Sequence, residues 1–145
     1  MIVSAVFFLS KSPSDHDQIQ QALERSIKAS KEGRPGGVLE YLSDNFQVNS
    51  VHYTGRNIAD TIKQYKPDVS VATTEPVING DHATITSGVT LTIPLVNRSI
   101  QVRSVTFSFD KELGTKFLVI PTKDWKLVKV SVPQEVVDQV ASEVQ

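Results

Sequence analysis

The order in which the hydrophobic period changes along this chain restricts its fold more than any single motif does. Ile19, Leu23 and Ile27 recur every four residues, with Ala22 and Ala29 filling in, and predict an amphipathic helix that Asp15 or Ser14 can cap. The run Glu32-Gly33-Arg34-Pro35-Gly36-Gly37 stops it. Val38, Leu39 and Leu42 then form the apolar side of a short second helix that ends at Ser43-Asp44-Asn45. From Phe46 the period becomes two, which puts Phe46, Val48, Ser50 and His52 on one face of a strand. A third helix follows Thr54-Gly55, with Ile58, Ile62 and Tyr65 buried and Pro67 as its stop. Everything from Val69 to Val132 reads as sheet. A curved sheet that receives all its helices on one face makes a cone with a pocket inside.

Within the sheet region, Val69 to Ile78 reads as one strand and Asn79-Gly80-Asp81 as a hairpin turn. Ala83, Ile85, Ser87, Val89, Leu91 and Ile93 alternate with a face of threonines. In the next strand Arg103, Val105, Phe107 and Phe109 share a face, and the last strand is Trp125 to Val132. Pro133 opens a valine-rich terminal helix. With 145 residues one core is expected, so the chain divides into a hydrophobic segment and tether at 1–14, a domain at 15–132 and a helix at 133–145. Phe117-Leu-Val-Ile-Pro121 lies just before the tryptophan strand and reads as a lid, an interface or a lengthened hairpin.

Fifteen Lys and Arg against sixteen Asp and Glu leave a net charge of −1, so there is no broad positive field to hold a nucleic-acid backbone. The absence of cysteine removes disulfides, thiolate nucleophiles and thiolate metal sites together. His16, His52 and His82 show no ligand spacing, and the glycine cluster lacks the Lys-Ser/Thr of a phosphate loop. No metal and no cofactor are therefore expected. Met1 to Ser10 is the most hydrophobic stretch, but it is shorter than the roughly 20 residues of a membrane-spanning helix and has no basic region before it. We read it as the distal end of a signal anchor, which places the domain outside a membrane. The competing reading is an edge strand or helix extension packed on the domain.

The segments Gly37-Val-Leu-Glu-Tyr-Leu-Ser-Asp-Asn-Phe46, Tyr53-Thr-Gly-Arg-Asn-Ile58, Val77-Ile-Asn-Gly-Asp-His-Ala-Thr-Ile85 and Asp124-Trp-Lys-Leu-Val-Lys-Val130 resemble, in this order, the nuclear transport factor 2-like or SnoaL-like superfamily. The resemblance covers about residues 15 to 132. It is nearest to anchored bacterial members, from which this chain departs by having Asn45 at the second acid of the second helix. It implies an α+β fold of the cystatin-like type, with three N-terminal helices on a strongly curved, mostly antiparallel sheet. Steroid isomerases of that fold carry an aspartate base on the strand after the second helix, and the matching position here falls near Ser50, beside Asn49. Their oxyanion-stabilising tyrosine comes from the first helix, and residues 15 to 32 hold no tyrosine. Neither half of that proton-transfer pair is present.

The polar residues left near the expected cone mouth are Ser50, His52 and Arg103, above an apolar lining that includes Phe107. His52 is the candidate general base or hydrogen-bond donor, and Arg103 the candidate holder of a ligand carboxylate. The bland readings are a strand-end histidine on a carbonyl and an arginine reaching solvent along its stem. The expected function is a small-molecule-binding or interaction domain without catalysis, taking a small hydrophobic ligand. The alternative is an isomerase- or dehydratase-like enzyme using His52 with Arg103 or Tyr53. A homodimer through the outer sheet face and attachment to a membrane through the N-terminus complete the expected partners, with nucleic acid excluded.

Overall fold

Ser14 sets the start of the first helix: its Oγ accepts a hydrogen bond from the Asp17 amide at 3.2 Å. The computed structural model describes residues 14–116 and 120–133. Residues 1–13 of the segment and tether expected at 1–14, the stretch 117–119, and residues 134–145 of the terminal helix expected at 133–145 lie outside the described residues. Helix α1, Asp15–Lys31, buries Ile19, Ala22, Leu23, Ser26 and Ala29. Gly33 follows its C-cap at φ +72°, a conformation that costs glycine nothing.

Helix α2 is only Pro35–Leu39. The expected continuation to Asn45 is corrected here, because Leu42 already pairs with Leu127 and starts strand β1, Leu42–Val48. Gly37 lets α2 press onto α1: a Cβ added there would sit 2.6 Å from the Ala29 Cβ. Ala29 is buried and cannot swing away. Gly37→Ala is therefore expected to destabilise the fold by about 1–3 kcal/mol, the usual cost of overpacking, in a urea titration. Gly36→Ala, where nothing lies within 4 Å, is the control that should cost little.

The expected single strand from Phe46 to Tyr53 is a hairpin. Asn49 and Ser50 take φ +49° and +73°, the type I′ arrangement that reverses the chain into β2, Val51–His52. Asn49 is fixed in this turn by Val132, whose carbonyl accepts from Nδ2 at 2.7 Å and whose amide donates to Oδ1 at 2.8 Å. Helix α3, Gly55–Tyr65, follows the Thr54 cap. The expected strand from Val69 to Ile78 is two strands, β3 Asp68–Val71 and β4 Val77–Asn79. The chain leaves the sheet between them because buried Ser87 accepts the amides of Ala72 and Thr73 at 2.9 and 3.1 Å. From α1, Gln20 donates to the Thr74 carbonyl at 3.1 Å and His16 Nε2 lies 2.9 Å from Glu75.

Strand β5 is His82–Ile93, β6 is Arg98–Lys116 and β7 is Ile120–Ser131. One sheet has the order β2-β1-β7-β6-β5-β3, with β4 also on β5. Among the described strands only β1 and β7 pair in parallel. Thr115 pairs with Pro121 and Lys116 with Ile120, so the described parts of β6 and β7 stay paired beyond Trp125. The inner sheet face carries Phe46, Ala83, Ile85, Val105, Phe107, Phe109, Trp125 and Leu127, which form one buried cluster with Ile19, Ala22 and Leu23 of α1. The sheet face and the helix stripe that the sequence marks as apolar thus cover each other.

Candidate functional site

The four expected site residues stand in different settings. Ser50 is exposed in the type I′ turn. His52 pairs with Gln47 across the hairpin, so it shares that residue's face and not the face of Phe46 and Val48. Its Nε2 lies 3.2 Å from the backbone oxygen of Asp44 and donates to it. Arg103 leaves the expected face because of a bulge: Ser87 pairs with Val105 and Val89 with Val102, so Gly88 alone opposes Arg103 and Ser104. Ile100 and Val102 point inward before the bulge, Val105, Phe107 and Phe109 after it, and Arg103 is exposed. Phe107 is 7% exposed inside the core cluster. β2 and β6 are separated by β1 and β7, about 14 Å at the usual strand spacing. His52 and Arg103 therefore do not meet at one mouth.

A pocket of about 190 Å³ does lie beside the hairpin, lined by Leu39, Leu42, Ser43, Asp44, Tyr53, Gly55 and Ile58. Its origin is an irregularity in β1. Leu42 pairs with Leu127 and Gln47 with Lys129, so four residues of β1 span a single residue of β7 and bow away from it. The bow is held by Ser43, whose Oγ donates to Glu112 at 2.8 Å and accepts the Asn45 amide at 3.1 Å. That hydroxyl is thereby committed to structure. Leu39 from α2, Leu42 from β1 and Ile58 from α3 supply the apolar lining, while the Tyr53 ring and the Asp44 carboxylate are exposed.

The space is smaller than the roughly 300–1,000 Å³ of pockets that enclose a drug-sized ligand. It fits a group the size of one side chain. Sequence reasoning singled out Tyr53 as a helper to His52 and missed Asp44 and Leu39 as its companions. The signal was weak, because the pocket depends on the hairpin and the bow in β1, and Asn-Ser is a poorer hairpin mark than Asn-Gly.

Several other charged groups are paired at the surface. Asp15 Oδ1 accepts from Trp125 Nε1 and from Lys111 Nζ, both at 3.1 Å, and Lys111 lies 5.6 Å from the indole centre. The Trp125 hydrogen bond first, then Lys111, hold the Asp15 carboxyl below its ordinary value. Glu75, then Asp17, raise the His16 imidazole above its ordinary value. His82 Nδ1 lies 2.6 Å from Asp110. Among the described residues no three His, Asp or Glu gather in a group that could hold a metal ion. None of the described helices is long and apolar enough to cross a membrane.

No protein-family model and no curated protein matches the sequence. Solved structures do match the fold. A provisional ketosteroid isomerase from Shewanella frigidimarina superposes with a TM-score of 0.60 at 16% identity, over 82% of this chain and 98% of its own. A nuclear transport factor 2-like protein with a cystatin-like fold from Novosphingobium aromaticivorans gives 0.56 at 13% identity, over 90% and 85%. A nuclear transport factor 2-like protein of unknown function from Cytophaga hutchinsonii gives 0.54 at 11% identity, over 88% and 98%. The chain has the nuclear transport factor 2-like, cystatin-like α+β fold, with three α-helices among the described residues and a large mixed sheet that does not close.

Proposed function

We propose that this chain is a non-catalytic binding domain whose pocket beside the β1–β2 hairpin takes a small, largely apolar group. One observation carries this reading. The inner sheet face, where a fold of this kind offers most enclosed space, is occupied by Phe46, Ile85, Phe107 and Phe109 against Ile19 and Leu23. The pocket at the hairpin stays open beside that filled interior. Its apolar floor favours a methyl- or ring-bearing group, and the Tyr53 ring at the rim adds a flat contact surface. The buried polar residues Ser26, Ser43 and Ser87 all hydrogen-bond, and none of them titrates near neutral pH. In this reading the hydrophobic start of the chain tethers the domain to the outer face of a membrane.

The enzymatic alternative rests on His52, and the two are separable. Small apolar ketones and carboxylates should stabilise the domain in thermal shift, and the Tyr53 and Gly55 amide resonances should move with them. Tyr53→Ala should weaken that binding about tenfold while changing stability little, since Tyr53 is 40% exposed. Hydrogen exchange at the α-carbon of a bound ketone should be no faster than in buffer, and His52→Ala should leave it unchanged. Accelerated exchange that His52→Ala abolishes would establish the enzyme instead.

A further inference from the structure

On the outer sheet face, across strands β3, β5 and β6, lies a cleft of about 450 Å³ bordered by Ser70, Ala72, Gly88, Thr90, Gln101 and Arg103. Its shape follows from register. Ser70 pairs with Thr90 and Thr90 with Gln101, which sets three polar side chains in a row across the sheet. In the next row the Ala72 amide donates to the Gly88 carbonyl at 3.0 Å, and Gly88 faces Arg103 in the bulge. A methyl, a hydrogen and an arginine thus follow three longer groups, and the hollow forms over Gly88. The backbone does not demand glycine there: a Cβ would lie 3.5 Å from the Arg103 oxygen and 3.7 Å from the Val102 oxygen, which is ordinary contact.

Hydrogen bonding separates this hollow from the rest of the same face. On either side the hydroxyls satisfy each other, Thr86 with Thr106 at 3.1 Å and Thr92 with Ser99 at 3.3 Å. Ser70, Thr90, Gln101 and Arg103 form no side-chain hydrogen bond or ion pair among the described residues. One cation and three neutral donor-acceptor groups therefore converge unused on a space of small-molecule size.

We propose that this cleft binds a polyhydroxylated monocarboxylate of the sugar-acid class. The planar carboxylate matches the two-pronged guanidinium of Arg103. A single cation neutralises one negative charge and would leave a doubly charged phosphate half compensated. Hydroxyls at the other end reach Ser70, Thr90 and Gln101.

The test uses the whole chain and glucuronate, with glucose and inorganic phosphate as comparators, by calorimetry and amide chemical shifts. Glucuronate should bind saturably and shift the Gly88 and Gln101 amides. Glucose should bind about tenfold more weakly, and phosphate should not displace glucuronate. Arg103→Gln, at an exposed position, should reduce glucuronate to the level of glucose. Gly88→Val should remove both with an unchanged melting curve. An oligouronide binding more tightly than the monomer identifies a polymer end as the source, and equal affinity identifies the free acid. Equal binding of glucose and glucuronate, binding that survives Arg103→Gln, or no binding because a homodimer buries Arg103 would overturn the proposal.

Discussion

Trp125→Ala is expected to remove about 3–5 kcal/mol of stability, the usual cost of deleting a large buried aromatic side chain. Trp125 is 3% exposed and packs in the main core cluster. Against a total of about 5–15 kcal/mol for a domain, the loss is large enough to leave the variant partly unfolded at modest urea concentrations. Trp125→Phe keeps part of the ring packing but removes the N–H and the rest of the bicyclic indole, so it should cost about 1–3 kcal/mol. That smaller effect should depend on pH. Because Trp125 and Lys111 lower the folded-state pKa of Asp15, their stabilisation is present above the unfolded value of about 3.9 and is lost as pH falls through the folded value. The gap between the natural chain and Trp125→Phe should therefore narrow in acid. Asp15 is 41% exposed, so solvent screens the pair and the narrowing is gradual. A Trp125→Ala chain as stable as its parent would show that the last strand faces the other way.

How much of this could be read from the chain depends on what each element rests on. Helix α1 was legible because its apolar repeat is long and its cap and glycine stop are local. The same holds for α3, stopped before Pro67, and for the β4–β5 turn, where Gly80 takes φ +65°. β5 was legible because an unbroken alternation runs along it. What failed was phase. Alternation carried through Asn49-Ser50 assigns His52 to the inner face, whereas the turn there is stabilised by Val132, more than eighty residues away. Carried through Gly88 and Arg103, it assigns the arginine to the core. An isolated glycine inside a strand pattern is a known mark of a bulge, and Gly88 was the available warning.

The candidate sites follow the same division. The superfamily resemblance and the missing acid and tyrosine were readable, since they rest on residue types at stated places. Which residues meet was not, because the hairpin pocket needs the bow in β1 that Ser43 and Glu112 hold across 69 positions. The outer cleft needs the β5–β6 bulge. Both irregularities are tertiary choices that local propensity leaves open.

Phe107→Ala decides whether the inner face is a wall or a core. Phe107 pairs with Ile85 on one side and Val130 on the other and is 7% exposed. If it fills the interior, as in this structure, truncation should cost about 3–5 kcal/mol, because lost apolar burial adds to a cavity that rigid neighbours cannot close. Phe107→Leu should recover most of that, at a cost of about 1 kcal/mol, since it stays apolar and keeps most of the volume. A residue lining an open ligand pocket behaves differently. Its truncation widens a space that is already there, costs little stability and acts on binding instead. Urea titration of the two variants, with thermal shift by apolar carboxylates run on each, separates these cases. A loss below about 1 kcal/mol for Phe107→Ala, with altered ligand response, would place the binding site inside the cone after all. The expected large loss, with the response of the hairpin pocket intact, keeps the interior structural and leaves ligand recognition to the surfaces that the β1 bow and the β5–β6 bulge create.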